Sequence, residues 1–123
     1  MMYLMIALGG AFGALSRYEM GRWINGFWSL PFPFATLVIN VLGCALMGIA
    51  FVVINERLPS LEAYRPLIMV GFLGAFTTFS TFSLEIVALI NMQAWLSAIS
   101  YLLLSCILGV AALAIGIALA RLF

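Results

Sequence analysis

The residues of this chain best suited to chemistry are aromatic, hydroxyl and amide side chains placed within apolar segments. The stretch from Gly71 to Ser83, GFLGAFTTFSTFS, repeats the tripeptide Thr-Phe-Ser and holds five hydroxyls. A helix advances about 300° over three residues, so Phe79 and Phe82 lie near one face, one turn apart. Ring edges carry partial positive charge, and the amide of Asn40 donates hydrogen bonds. Together these groups favour contact with a small, strongly hydrated anion.

Three further features place polar groups inside apolar runs. Asn40, four residues after Thr36, either serves an ion or simply joins two helices. Glu85 must face a polar interior or be neutralised, because a carboxylate at bilayer depth costs roughly 2.5–3.5 kcal/mol on insertion scales. A stripe of polar and small residues recurs at every fourth position: Ser97, Tyr101, Ser105 and Gly109. Such a stripe either joins two helices to each other or forms one wall of a narrow path for water or ions.

Composition places these residues in a membrane. The chain is 67% hydrophobic and 7% charged, with a mean hydropathy of +1.27, far from the usage of soluble proteins. A spanning helix needs about 20 apolar residues, so 123 residues hold at most four. We predict one all-α transmembrane domain over residues 1–123, with spans at about 3–23, 35–54, 66–90 and 95–119. The first run lacks the basic region of a signal peptide, so we expect it to be retained.

The third span is predicted to be broken in mid-membrane. Gly71, Gly74 and the pair Thr77-Thr78 loosen a helix and expose carbonyl groups whose hydrogen bonds must be met internally at bilayer depth. Inward-pointing carbonyl oxygens suit a small hard cation such as sodium. We interpret that cation as a structural clamp and not as a second conducted ion.

The distribution of charge bears on insertion and assembly. All five basic residues are Arg. With four spans, one side of the membrane holds Arg57, Arg65 and Arg121, and the other holds Arg17 and Arg22. A difference of one is a feeble positive-inside bias and permits both orientations. Four short helices are also too few to enclose a polar path, so we predict an antiparallel homodimer whose two-fold axis places the break of span three against its own copy.

The inventory of residue types disfavours an enzyme. The chain has no His, Lys or Asp, so serine-hydrolase and metal-site chemistry lack their usual partners. A Ser nucleophile would need an unorthodox base, for which Glu85 alone is a poor candidate. Cys44 and Cys106 lie in apolar runs and are expected to be buried, reduced thiols. We expect neither an enzyme nor a partner of nucleic acid.

Three sequence blocks carry a family resemblance. GG-x-x-GA-x-x-RY at residues 9–18, TL-x-x-N at residues 36–40 and TTFSTFS at residues 77–83 closely resemble the Fluc (CrcB) family of bacterial fluoride channels. The match covers all four predicted spans in the same order. This chain departs from the family at Ala75, which follows Gly74 where Gly-Gly is common, and at Ala35, which replaces a Gly before Thr36. Gly109 stands where a third hydroxyl of the family's polar track is expected.

The resemblance implies a dual-topology, antiparallel dimer in the bacterial inner membrane, with two fluoride pathways and a central sodium ion. Fluoride trapped in the cytoplasm would leave passively, down its electrochemical gradient. The implied pathway residues are Asn40, Phe79, Ser80, Thr81, Phe82, Glu85, Tyr101 and Ser105. Arg17 matches the family's vestibule arginine, although snorkelling toward headgroups explains it equally well. The carbonyl oxygens of Gly74 and Thr77 match the sodium ligands.

The main alternative is a small multidrug-resistance exporter, another four-span antiparallel dimer, which exchanges protons for hydrophobic cations. That class is expected to centre on a carboxylate midway along span one. Here the only acid of span one is Glu19, beside Arg17 near the helix end. The exporter is therefore the less favoured of the two.

Overall fold

The chain is helical and contains no strand in a computed structural model that describes residues 1–123. Its α-helices are α1 (Met2–Asn25), α2 (Phe34–Val52), α3 (Gly74–Phe76), α4 (Phe79–Asn91) and α5 (Trp95–Leu122). Between α2 and α3 lie a π-helix, a 3-10 turn and a second π-helix: Val53–Arg57, Pro59–Tyr64 and Pro66–Leu73. The predicted all-α fold class is confirmed.

Three helical stretches are long and apolar enough to cross a membrane. They are Phe34–Arg57, Pro66–Asn91 and Trp95–Leu122, of 24, 26 and 28 residues. Each exceeds the roughly 20 residues that the hydrocarbon core requires. Helix α1 is 24 residues long but is not among them, and it carries Arg17, Glu19 and Arg22 in its second half. The three apolar stretches indicate a multi-pass membrane protein.

Proline marks the start of two of these stretches. Pro33 directly precedes α2, and Pro66 is the first residue of the second π-helix. Neither position requires a backbone N–H inside a helix, because the first N–H groups of a helix have no carbonyl partner in it. The proline ring therefore begins each helix without costing it a hydrogen bond.

The apolar stretch Pro66–Asn91, which corresponds to the third predicted span, is interrupted at two residues. Thr77 and Thr78 have extended backbone, with ψ of 157° and 121°, and α4 begins at the next residue, Phe79. The break predicted in this stretch is therefore present. Gly71 and Gly74, which we expected to loosen the helix, remain within the helical turns before it. The break instead follows from hydrogen bonds described below.

The glycines of α1 allow its backbone to touch the second π-helix. A Cβ atom added at Gly9 would lie 2.9 Å from the backbone nitrogen of Phe72, and one at Gly13 would lie 3.0 Å from the carbonyl carbon of Phe72. Real Cβ atoms do not approach backbone that closely, so only glycine fits at either position. Small residues at four-residue spacing permit this type of close helix packing in membranes.

A small apolar cluster fixes the relative positions of α2, α4 and α5. Its buried members are Leu37, Phe82, Leu89, Ala98 and Tyr101. Phe82 and Tyr101 are also predicted pathway residues, with exposed fractions of 5% and 0%. The cluster therefore holds one side of the candidate site in place by packing.

Charged residues tie the end of α5 to the π-helix after α2. The guanidinium of Arg121 donates to both carboxylate oxygens of Glu56, at 3.0 and 2.6 Å. Arg57 donates in turn to the carbonyl oxygen of Arg121. This pairing brings together two segments that the sequence separates by more than sixty residues.

Candidate functional site

Asn40, in the middle of α2, clamps the break in the apolar stretch Pro66–Asn91. Its side-chain Nδ2 donates to the carbonyl oxygen of Thr78 at 3.0 Å, and the backbone N–H of Thr78 donates to its Oδ1 at 2.8 Å. Both polar groups of one backbone residue thus pair with a single amide, which replaces the helical partners that they have lost. An amide NH₂ has two donors, so one Asn40 N–H is left for another acceptor.

The same arrangement releases two carbonyl groups. In a continuous helix, the N–H of Thr78 would donate to the carbonyl of Gly74, and the N–H of Thr81 to that of Thr77. Here the Thr78 N–H donates to Asn40, and the Thr81 N–H donates to the Thr78 hydroxyl at 3.2 Å. The carbonyl oxygens of Gly74 and Thr77 are therefore left without their helical donors.

The hydroxyl of Thr78 caps α4. Besides accepting from the Thr81 N–H, Thr78 Oγ1 donates to Thr81 Oγ1 at 3.1 Å. A hydroxyl at this position satisfies one of the free N–H groups at a helix start, where the helix dipole also concentrates positive charge. The beginning of α4 at Phe79 is consequently fixed by the residue before it.

The two phenylalanines of the repeat lie together but differ in exposure. The centroids of the Phe79 and Phe82 rings are 5.6 Å apart, as their spacing of three residues predicts. Phe82 packs edge to face with Tyr101 at 5.1 Å and is 5% exposed, whereas Phe79 is 78% exposed. One ring is thus fixed in the core of the chain, while its neighbour projects from the surface.

Glu85 is held by two hydroxyls from different helices. Thr36 Oγ1 donates to its Oε1 at 2.8 Å, and the phenol of Tyr101 donates to its Oε2 at 2.6 Å. Thr36 and Tyr101 are buried, with exposed fractions of 8% and 0%. Each carboxylate oxygen therefore accepts a hydrogen bond from a fixed donor, and α2, α4 and α5 meet at this point.

Two cavities meet at the break. The first, of about 290 Å³, is lined by residues of α2, α4 and α5 together with the break, among them Asn40, Thr78, Phe79, Phe82, Ser105 and Gly109. The second, of about 400 Å³, includes Arg17, Arg22, Thr36, Thr78, Thr81 and Glu85. Thr78 is the one residue that lines both cavities.

Each cavity offers unpaired donors. The hydroxyl oxygen of Ser105 is buried in the first cavity and has no hydrogen-bond partner. In the second, Arg22 pairs with Glu19 at 3.3 Å, whereas Arg17 makes no salt bridge. A hydroxyl and a guanidinium are thus available to an anion at opposite sides of Thr78.

The sequence over most of the chain matches one protein family. The family model described as CrcB-like protein, Camphor Resistance (CrcB), matches residues 4–117. This chain belongs to the CrcB family. The resemblance stated from the three sequence blocks is confirmed.

Curated CrcB relatives match nearly the whole chain. The protein named fluoride-specific ion channel FluC in Hahella chejuensis is 50% identical over 95% of this chain and 92% of its own length. Proteins of the same name in Saccharophagus degradans and Magnetococcus marinus are 47% and 44% identical, over 96% and 95% of this chain and 88% and 95% of their own lengths. The family match gives no support to a multidrug exporter.

Most residues that the sequence singled out lie around the two cavities of this CrcB chain. The first cavity holds Asn40, Phe79, Phe82 and Ser105, and the second holds Arg17, Thr81 and Glu85. Tyr101 lies between Phe82 and Glu85. Ser80 is exposed and lines neither cavity, although its hydroxyl lies 3.4 Å from that of Thr78.

Two residues of the site carried no assigned role at the level of sequence. Thr36 was noted for its four-residue spacing from Asn40 and within the block TL-x-x-N, and Thr78 within the repeat and the pair expected to loosen the helix, but neither was assigned a partner. Their hydrogen-bond partners are Glu85 and Asn40, which lie 49 and 38 positions away. Thr is a preferred residue directly before a helix, and this preference would have identified Thr78. No local signal links Thr36 to Glu85.

The two cysteines also lie beside the first cavity. Cys44 is partly buried on α2, and Cys106 is exposed on α5; both are free thiols. The expectation of buried thiols was therefore wrong for Cys106. Cys106 nevertheless lines the first cavity, as does the preceding residue, Ser105.

Proposed function

We propose that this protein is a fluoride-selective channel that lets cytoplasmic fluoride leave the cell passively. The observation that carries this proposal is the first cavity, which is lined by Phe79 and Phe82 together with residues that can donate hydrogen bonds and by no acidic residue. Aromatic edges and N–H or O–H groups suit an anion. The curated relatives are named fluoride-specific ion channels, which identifies the anion.

The donors of the first cavity replace the water shell of the ion. The second N–H of Asn40 is free because its partner N–H is committed to Thr78, and the Ser105 hydroxyl has no partner. Fluoride is the smallest halide and holds its water most strongly, so it gains the most from several donors at once. The start of α4 adds the positive end of a helix dipole.

The second cavity is the entrance. Arg17, which has no acidic partner, draws anions toward Thr78 and Thr81. Glu85 lies in the same cavity but already accepts hydrogen bonds from Thr36 and Tyr101. An arriving fluoride competes with this carboxylate for the two hydroxyls, which makes Glu85 part of the pathway. Ser80 completes the set of hydroxyls beside Thr78.

The functional unit in this proposal is an antiparallel homodimer of four-span subunits, with two pathways, in the bacterial inner membrane. The ring of Phe79 is 78% exposed at the edge of the first cavity, a position that a second subunit would cover. The Arg distribution of three against two supports insertion in both orientations. Helix α1 would be the fourth span, packed against the second π-helix through Gly9 and Gly13.

A structural sodium ion fits the carbonyls at the break. Gly74 and Thr77 supply oxygen atoms without helical donors, and oxygen is the ligand type that hard cations prefer. When bound, sodium would supply a positive charge to these two oxygen atoms in place of the N–H donors that they lack. Asn40 and the Thr78 hydroxyl hold the backbone in the conformation that presents both oxygens.

Fluoride efflux from proteoliposomes tests the proposed function. Vesicles loaded with potassium fluoride are diluted into fluoride-free buffer, and a fluoride electrode follows release after the membrane potential is clamped. We expect rapid fluoride release and no chloride release from matched chloride-loaded vesicles. Release no faster than from protein-free vesicles would overturn the proposal, and equal release of chloride would remove the selectivity.

A further inference from the structure

Three sulfur-containing residues are among those that line the first cavity. Cys44 and Met47 contribute from α2, and Cys106 contributes from α5. Neither cysteine is in a disulfide. Sulfur does not serve a hard anion such as fluoride, so the proposed channel leaves these three side chains without a role.

The sulfur-bearing residues converge between the two helices. Cys44 and Met47 are three residues apart on α2 and therefore share a face. The Cys44 sulfur lies against α5, because a Cβ atom added at Gly109 would be 3.6 Å from it. Gly109 is three residues after Cys106, hence on the same face one turn along. Both thiols thus border the same space.

A second observation indicates that this space takes a ligand. The Ser105 hydroxyl oxygen, next to Cys106 in sequence, is buried in the same cavity without a hydrogen-bond partner. Buried polar atoms in native proteins are nearly always paired. The cavity of about 290 Å³ has room for more than one ion or water molecule.

We propose that Cys44 and Cys106, assisted by the Met47 thioether, bind one soft monovalent metal cation, Cu(I) or Ag(I). Thiolate and thioether ligands select such cations over the hard ions that oxygen prefers. Each thiol that becomes a ligand releases its proton to water, and no electron is transferred. The cation would lie beside Asn40 and Ser105, so a filled site obstructs the fluoride path; this last consequence rests on the proposed function.

Silver retention tests the site without reference to flux. Purified protein in chloride-free, thiol-free buffer receives silver nitrate, excess metal is removed by desalting, and silver per chain is measured by elemental analysis. We expect about one silver ion per chain, and at least about tenfold weaker retention in Cys44→Ser and in Cys106→Ser. Met47→Leu should also weaken silver retention. Met92→Leu, at an exposed methionine outside the cavity, is its matched control and should keep full retention.

The outcomes separate a shared site from two independent thiols. If each single Cys variant still retains one silver ion as tightly as the unchanged protein, or if the unchanged protein retains none, the proposal is overturned. Circular dichroism and the elution volume establish that each variant is folded. Loss of retention in both folded single variants supports the site.

Measurements of fluoride release test whether silver blocks the path and distinguish the metal-site proposal from the channel proposal. Silver should stop fluoride release from vesicles of the unchanged protein, dithiothreitol should restore it, and Cys44→Ser should resist silver. Silver retention by protein that passes no fluoride would defeat the proposed channel and leave the metal site standing. Normal fluoride release by protein that retains no silver would defeat the metal site alone.

Discussion

Asn40 and Thr78 are joined by a pair of hydrogen bonds of 3.0 and 2.8 Å, in which one side-chain amide satisfies both polar groups of one backbone residue. This pairing lets the apolar stretch Pro66–Asn91 break while the N–H and the carbonyl of Thr78 both keep a hydrogen-bond partner. Backbone groups at bilayer depth require such partners. Asn40 also lines the first cavity. Structure and proposed conduction therefore depend on the same side chain.

Replacement of Asn40 should damage both stability and flux. Asn40→Ala leaves the Thr78 backbone unpaired, which costs roughly 1–3 kcal/mol for each buried group. Asn40→Asp keeps an acceptor for the Thr78 N–H but, when ionised, has no donor for its carbonyl. We expect a lower melting temperature and little fluoride release for both. Asn91→Ala, at the exposed end of α4, is the control and should match the unchanged protein; equal behaviour of Asn40→Ala would refute the clamp.

Replacement of Phe79 and of Phe82 should have similar effects on fluoride flux but different effects on the stability of the protein. Phe79→Ile and Phe82→Ile each remove an aromatic edge, so both should cut fluoride release sharply. Only Phe82→Ile should also lower the melting temperature, because Phe82 is 5% exposed and Phe79 is 78% exposed. Phe12→Ile, at another exposed ring, provides the control for substitution. Unchanged release in both pathway variants would remove the rings from the mechanism.

Thr36 and Glu85 should be energetically coupled. Thr36→Val removes the hydroxyl that donates to Glu85 Oε1, and Glu85→Gln alters its acceptor. Residues in one hydrogen-bond network show interaction energies of roughly 0.5–3 kcal/mol in double-mutant cycles. We expect the double variant to melt at a higher temperature than the sum of the single effects predicts. Simple additivity in thermal unfolding would show that the 2.8 Å hydrogen bond contributes nothing.

Sodium should stabilise the folded protein. An ion that binds only the folded state raises its stability with the logarithm of concentration. Melting temperatures measured in sodium, potassium and choline salts at equal ionic strength should be highest in sodium. The same series with Asn40→Ala, which releases the Thr78 backbone, should lose that preference. Identical melting in sodium and choline for the unchanged protein would count against the proposed ion at Gly74 and Thr77.

Orientation in the membrane should respond to very few charges. With three Arg against two, tags at both termini should report both orientations in cells. Two Lys residues added after Phe123 should shift the population to a single orientation and lower fluoride resistance, because antiparallel pairs can no longer form. Two Gln residues at the same place control for length. A single orientation of the unchanged chain would contradict the antiparallel dimer.

The sequence predicted the local features of the site, and its long-range contacts required the structure. Residue spacing alone predicted that Phe79 lies beside Phe82. The glycine and threonine content predicted a break in the stretch Pro66–Asn91. The break lies at Thr77-Thr78 because Asn40, 38 positions away, supplies the partner. Residue spacing does not encode such a contact, nor the pairing of Glu85 with Thr36 across 49 positions.

Local patterns also failed where packing decides backbone geometry. Pro66–Leu73 is a π-helix, although its apolar sequence is equally compatible with an α-helix. It lies against Gly9 and Gly13 of α1, and that contact depends on a segment far away in the sequence.

Because Thr78 borders both cavities, its bonds form the boundary between them. Its N–H and carbonyl are committed to Asn40, and its hydroxyl is committed to Thr81. An ion that moves from one cavity to the other in the proposed channel would have to replace one of these hydrogen bonds, which also fix the start of α4. In the proposed channel, conduction and the fold would therefore depend on the same threonine, and each passing ion would briefly take up a hydrogen bond that otherwise holds the helices together.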